Sequence, residues 1–354
     1  MRALRKLAAE HTHLELVDVP APSPPPGWVV LDVIYAGICG TDSHIMHNAF
    51  PSWPPVTLGH EFLGRVRTVG EGVTHWEPGD RVVCEPHSLA DTTCHLCRRG
   101  IAHLCAAKRS PGWGIDGGMA EQVAMPAHLL HGVPDNVTDL AAALCEPTAV
   151  VVTALERVPL DPGSTVLVFG PGPIGLLSAL VARACGAGRT IVVGRSSSAR
   201  RLQLARDLGL EVWDSGEVQV ADQVREITDG RGADYCLETS GSAPATATAI
   251  DALRRRGRLV VLGVNDAPTM DLPWALAMNR AIDVSFSLSS SWSSWDAALA
   301  LMAAGRVDPA PLATVFDLDR WPEAFRALSE RTVVKAVIDP ACPSPPIREV
   351  PHDH

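Results

Sequence analysis

Residues 170–175 read Gly-Pro-Gly-Pro-Ile-Gly, between the apolar run TVLVF and a second apolar stretch of helical spacing. Few short strings limit a fold so tightly. Gly170 makes a tight turn, Gly172 lets a backbone approach a pyrophosphate, and Gly175 lets a helix meet a strand. No charge occurs from residue 164 to 182, a length that could mimic a membrane span. The glycines and prolines inside it break such a helix, so strand, turn and helix explain it better. The alternation then continues, with a helix over 174–186, the strand TIVVG and a helix over 198–209. Later strands, ADYCLETSG and GRLVVLGV, are separated by the helix-like ATATAIDALRRR. This pattern predicts a parallel sheet with helices on both faces.

The chain before the glycine turn has another texture. Residues 29–38 and 62–70 have strand composition, 76–83 is a turn entering a strand, and proline-rich 20–27 is a stiff connector. Residues 139–158 turn alanine-rich and helical and carry the chain from one domain to the next. A length of 354 residues makes two domains the natural expectation. The net charge of −10 and pI near 5.7 argue against a nucleic acid or an anionic membrane as partner. The basic N-terminus lacks the apolar core and cleavage site of a secretory signal. Nine cysteines, clustered at Cys94, Cys97 and Cys105, point to metal binding in a reducing, cytoplasmic compartment rather than to disulfides. After residue 287 two helical stretches are expected to pack back onto the first domain. The arginines at 254–256 and Arg258 read as structural charge at a helix end, and the tail from Pro340 as ordered only if docked.

Metal donors precede the glycine turn. Cys39 stands in CGTDSH, His60 and Glu61 in GHEFLG, and Glu146 in CEP. A thiolate, an imidazole and a carboxylate suit zinc, and three protein ligands leave a position for water or substrate. Together with the cysteine cluster and GPGPIG, these motifs resemble those of the zinc-dependent medium-chain dehydrogenases, relatives of sorbitol, threonine and alcohol dehydrogenases. GHEFLGRVRTVGEGV is similar to that family's zinc signature throughout, and the resemblance covers nearly the whole chain except the tail. It implies an α/β chain with a GroES-like, mostly β catalytic domain at 1–152 and 288–354. A doubly wound parallel Rossmann domain would occupy 153–287.

The resemblance also implies roles. Cys39 and His60 would ligate a catalytic zinc, with Glu146 in the third-ligand position and Glu61 ligating or withdrawing. Asp42 would orient His60, or cap the helix after it, while Thr41 and His44 would relay a proton. DTTCHLCRRGIAHLC resembles the family's lobe for a structural zinc, except that Asp91 stands where a first cysteine is usual, before Cys94, Cys97 and Cys105. A carboxylate can complete such a site; otherwise the lobe is empty, with His87, His95 and His103 as nearby substitutes.

The cofactor expected at Gly170, Gly172, Pro173, Ile174 and Gly175 is a nicotinamide dinucleotide. After the second strand the chain reads VVGRSSSARR, with no carboxylate until Asp207. Ser196 occupies the family's acidic position, beside Arg195 and before Arg200 and Arg201. That favours NADP over NAD, because guanidinium and hydroxyl groups bind a 2′-phosphate. A solvated face for Arg200 and Arg201 would leave Arg195 and the serines to decide. Ile45, Phe50, Trp53, Trp113 and Trp292 are candidates to line the substrate site, although Phe50, Trp53 and Trp113 could equally be core. The expected reaction is hydride exchange with a secondary alcohol or ketone on a polyol, sugar or cyclitol. Alternatives are the NAD-linked equivalent and, of another class, a zinc-free double-bond reductase or silent binding protein. Relatives assemble as homodimers or homotetramers, so a contact near 286–292 is expected.

Overall fold

The computed structural model describes residues 1–265 and 267–341, so most of the proline-rich tail lies outside the described residues. Six parallel strands form one sheet, in the order Glu211–Asp214, Arg189–Gly194, Thr165–Phe169, Ala233–Glu238, Leu253–Val261 and Asp283–Phe286. The first strand in sequence lies inside the sheet, so the winding direction reverses between Thr165–Phe169 and Ala233–Glu238. Ligands of doubly wound sheets bind at that reversal. The run TVLVF is apolar throughout because both its faces are covered. Val166 and Val168 pack with Leu176 and Leu180 of the helix Pro173–Ala184, while Leu167 and Phe169 meet Val224 and Ile250 on the other side.

The remaining strands build a largely antiparallel sheet in the order Ala313–Asp317, Lys335–Asp339, Trp28–Gly37, Glu61–Val69, Arg81–Cys84 and Leu130–Gly132. The strand Gln122–Pro126 also pairs with Trp28–Gly37. A small sheet joins Arg2–Lys6 to Glu15–Asp18 and Val56–Thr57. After the parallel sheet the chain thus returns by strands as well as helices. The helix Trp321–Ser329 buries Ala324 and Phe325 in the core of the antiparallel sheet. The helix Trp292–Ala303 packs instead along Cys145–Arg157, where Thr153 Oγ1 donates to Ser294 Oγ at 2.9 Å.

One local expectation is corrected. The helix expected through the arginine run ends at Ala252, and Arg254 to Arg256 belong to the strand Leu253–Val261. There Arg254 pairs with Asp234 at 2.6 Å. Among the described residues no helix is long and apolar enough to cross a membrane.

Candidate functional site

The donors expected to share a metal converge where a short helix meets the antiparallel sheet. Cys39 is the N-cap of the helix Gly40–Met46, with extended φ and ψ of −98° and 160°. Asp42 Oδ2 accepts the Cys39 N–H at 2.8 Å, which closes a capping box. At the other end the buried Lys6 ammonium donates to the Ile45 carbonyl at 2.6 Å and to the Asn48 side chain. A helix of seven residues needs such anchors. Thr41 Oγ1 lies 3.7 Å from Cys39 Sγ, and His44 is half-buried one turn on.

The second Asp42 oxygen faces the His60 ring, with Oδ1 at 3.8 Å from Nδ1. Asp42 therefore both caps and faces the imidazole, and the helix starts before it rather than after. The rings of Trp113 and His60 meet in a T-shaped arrangement, with centroids 5.0 Å apart. The ligand atoms of Cys39, His60 and Glu61 all lie within 4.8 Å of one another. Glu146, the second residue of Cys145–Arg157, is buried close by but outside that cluster.

Glu61 has a partner that no sequence signal indicated. Lys335, fully enclosed, forms an ion pair with it. Strand register explains the pairing. Gly37 lies opposite Glu61 on one side and Val337 on the other. A Cβ on Gly37 would sit 2.6 Å from Glu61 Oε2 and 3.1 Å from Lys335 Cε, so the glycine leaves room for the pair.

The cluster carries more buried acid than the protein neutralises. Burial, then the Glu61 carboxylate, pushes the Glu146 carboxyl up to about 8, against His60 and Lys335. Burial likewise raises Asp42, and together with Glu61 it pushes the Cys39 thiol up to about 12. Asp42 Oδ1 and His60 Nδ1 are buried without a hydrogen-bond partner. Such a set is stabilised by a cation, and its sulfur, nitrogen and oxygen donors fit zinc.

The cysteine lobe forms a second cluster. The ligand atoms of Asp91, Cys94, Cys97 and Cys105 lie within 4.8 Å of one another. Asp91 turns inward, its Oδ1 accepting the N–H groups of Thr93 and Cys94 at 2.9 and 2.8 Å. Those bonds hold its carboxyl below the usual carboxylate range. His87 is engaged elsewhere, Nε2 lying 2.7 Å from the Ser290 carbonyl.

At the reversal of the parallel sheet lies a cavity of about 500 Å³, lined by Gly170, Gly172 and Arg195 among others. Gly170 has φ of +107°, and a Cβ on Gly175 would fall 1.7 Å from the Gly170 carbonyl oxygen, whereas one on Gly172 would meet nothing. Turn, close approach and open cradle are therefore three separate demands. Pro173 opens the helix and Ile174 follows it; neither they nor Gly175 line the cavity. Ser196 and Arg200 are exposed and also do not line it. Ser197, Ser198, Arg201 and Arg331 do, with no carboxylate among the lining residues. Arg201 is tied to the Val333 carbonyl at 2.9 Å.

The substrate-side candidates separate. Phe50 meets Trp113 edge-on at 5.4 Å, and the Trp53 backbone N–H donates to the Trp113 carbonyl at 2.7 Å, so both gather on Trp113, which itself meets His60. Ile45 is core, with 0% exposure. Trp292 packs near His131 and lines a different cavity of about 710 Å³ with Glu85 and His87.

Residues 25–135 match the family described as the alcohol dehydrogenase GroES-like domain, and residues 173–304 the zinc-binding dehydrogenase family. The sorbitol dehydrogenase of Halalkalibacterium halodurans is 35% identical over 96% of this chain and 99% of its own length. The alcohol dehydrogenase TADH from Thermus sp. ATN1 superposes with a TM-score of 0.86 at 30% identity, covering 96% of this chain and 99% of that one. A protein of Sinorhizobium meliloti 1021, named as a zinc-binding dehydrogenase and bound to NADP, gives 0.87 at 29% identity with the same coverage.

Proposed function

The chain belongs to the zinc-dependent medium-chain dehydrogenases, oxidoreductases acting on CH–OH groups with a nicotinamide cofactor, and we propose that it prefers NADP(H) and exchanges hydride with a secondary alcohol or ketone on a polyol, sugar or cyclitol. The observation carrying the cofactor preference is the cavity wall, where Arg195, Arg201 and Arg331 stand with Ser197, Ser198 and further serines and with no carboxylate. An acid there would bind both ribose hydroxyls and repel a 2′-phosphate, whereas guanidinium groups bind the phosphate in a planar fork. The relative with bound NADP is consistent with this reading. The polyol class is supported by the sorbitol dehydrogenase relative and by Glu146 in place of a cysteine.

In this reading Cys39 and His60 hold the catalytic ion, with Glu61 and Glu146 as alternate carboxylates and Lys335 restraining Glu61. When bound, zinc supplies a Lewis acid for the substrate oxygen and the nicotinamide takes or gives the hydride. Asp42 orients the His60 ring electrostatically, its Oδ1 facing Nδ1 at 3.8 Å. The Thr41 hydroxyl receives the proton that leaves the substrate, and His44, half-buried one turn on, passes it outward. Asp91, Cys94, Cys97 and Cys105 hold a structural ion. Residues 1–152 and 288–354 form the catalytic domain and 153–287 the dinucleotide domain. A homodimer or homotetramer is supported by the open edge strand Asp283–Phe286, where Phe286 is 70% exposed. The cysteine clusters fit a cytoplasmic setting.

Titration of the purified protein with NADPH and NADH tests the cofactor reading. NADPH is expected to bind more tightly, and Arg195→Ala to weaken it about tenfold while leaving NADH little changed. Equal affinities would remove the argument.

A further inference from the structure

Among the described residues another group of metal donors lies apart from both clusters above. The ligand atoms of His11, His13 and Glu15 are all within 4.8 Å of one another, the same limit that encloses the other two sets. The sequence HTHLE brings them together as the chain enters the strand Glu15–Asp18. In extended backbone alternate side chains share a face. Leu14 and Leu16 pack into the core of the antiparallel sheet, which leaves residues 11, 13 and 15 together on the outer side.

An ordinary surface ion pair accounts for only part of this arrangement. His13 Nε2 lies 3.2 Å from Glu15 Oε1, and an exposed pair of that kind contributes little. His11 has no share in it. Its ring stacks on His13, with centroids 4.9 Å apart and planes 13° from parallel. Its Nδ1 is buried without a hydrogen-bond partner, a cost that a ligand bond would remove. Nor does a cation of the protein engage Glu15. Arg5, its cross-strand neighbour, turns to Asp116 at 3.0 Å, and among the described residues no lysine or arginine nitrogen lies within 4.0 Å of the Glu15 carboxylate.

We propose that His11, His13 and Glu15 bind a further divalent ion, zinc or a first-row neighbour that favours imidazole. Two ring nitrogens and a carboxylate oxygen make a zinc donor set without sulfur. Ligand bonds to zinc are about 2 Å long, so rotation of these surface side chains closes the three donors on one ion. The side chains of His13 and Glu15 are 59% and 42% exposed, which leaves the remaining coordination to water. The ion therefore exchanges with the medium, unlike one enclosed at Cys39 or held by the thiols at Cys94, Cys97 and Cys105. Its place is the connection between the strands Arg2–Lys6 and Glu15–Asp18, which it fastens.

Calorimetric titration of the purified, tag-free holoenzyme with zinc chloride tests the site. One further ion per chain is expected, beyond those retained through purification. His11→Gln and His13→Gln should each weaken that event about tenfold or more, and Glu15→Gln should weaken it in the same direction, all with turnover kept. His352 and His354 are the chain's other pair of histidines one residue apart. Replacing both by glutamine should leave the titration unchanged. No further ion in the unsubstituted protein overturns the proposal, as does an ion that survives either substitution at His11 or His13, or one that the tail variant abolishes. Turnover lost together with the ion would assign it to the Cys39–His60 cluster and overturn the proposal equally.

Discussion

Asp42 joins two functions that are usually divided between residues. One oxygen closes the turn that presents Cys39, at 2.8 Å, and the other faces His60 at 3.8 Å. Asp42→Asn keeps an oxygen for the cap but replaces the carboxylate facing the imidazole. Zinc affinity or turnover is expected to fall about ten- to hundredfold, with little loss of NADPH binding. Unchanged zinc affinity and kcat would show that Asp42 serves the cap alone. At this scale the donors were legible because each lies in a short local motif. Lys335 was not, since it becomes the partner of Glu61 only when the strand Lys335–Asp339 pairs across Gly37, from the opposite end of the sequence. Ser196 and Arg200 show the limit of reading by position. The 3-10 turn Ser196–Ser198 presents the next two serines to the cavity instead, and a one-residue rotation within a turn leaves no trace in composition.

The glycine turn and its flanking elements carry the most demanding local geometry. Gly175→Ala would force a methyl group to within 1.7 Å of the Gly170 oxygen unless helix and strand separate. The variant is expected to lose about 1–3 kcal/mol of stability and most of its NADPH affinity. Gly172→Ala, whose methyl meets no protein atom, is expected to lose affinity with far less effect on stability. Thermal melts with and without NADPH check both, and equal destabilisation by the two substitutions would contradict this division. Strand, turn and helix were legible because periodicity and glycine spacing agree there. The strand Leu253–Val261 was less so. Its opening arginines suit a helix end by composition, and Asp234 draws Arg254 into the sheet through a contact between distant residues. The strands Ala313–Asp317 and Lys335–Asp339 are short and were hidden beside the stronger helical signals around them.

Across the whole molecule, the imidazole of His131 links the antiparallel sheet to the helix Trp292–Ala303. Its Nε2 meets Glu85 at 3.0 Å and its Nδ1 meets Asp296 at 2.8 Å, with the ring stacked on Trp295. Burial lowers its pKa, but the two carboxylates outweigh burial and leave it raised above 6.5. Burial also raises Glu85. Both folded-state values lie above their unfolded ones, so the bridge's contribution from His131 is fully present below pH 6.5 and is lost as pH rises through the raised value. Melting of the unsubstituted protein and His131→Gln should differ most near the lower pH and converge upward; a difference that grows with pH would be the wrong sign. The two-domain α/β architecture was foreseeable from the change in texture and the repeated alternation, whereas this bridge depends on how separate elements pack. The central claim concerns the cation at Cys39, His60 and the neighbouring carboxylates, and metal content measured alongside turnover tests it most directly. The purified chain should hold about two zinc ions, and Cys39→Ser about one, with turnover abolished and NADPH still bound. Full activity in Cys39→Ser, or an unsubstituted protein active without zinc, would contradict the account.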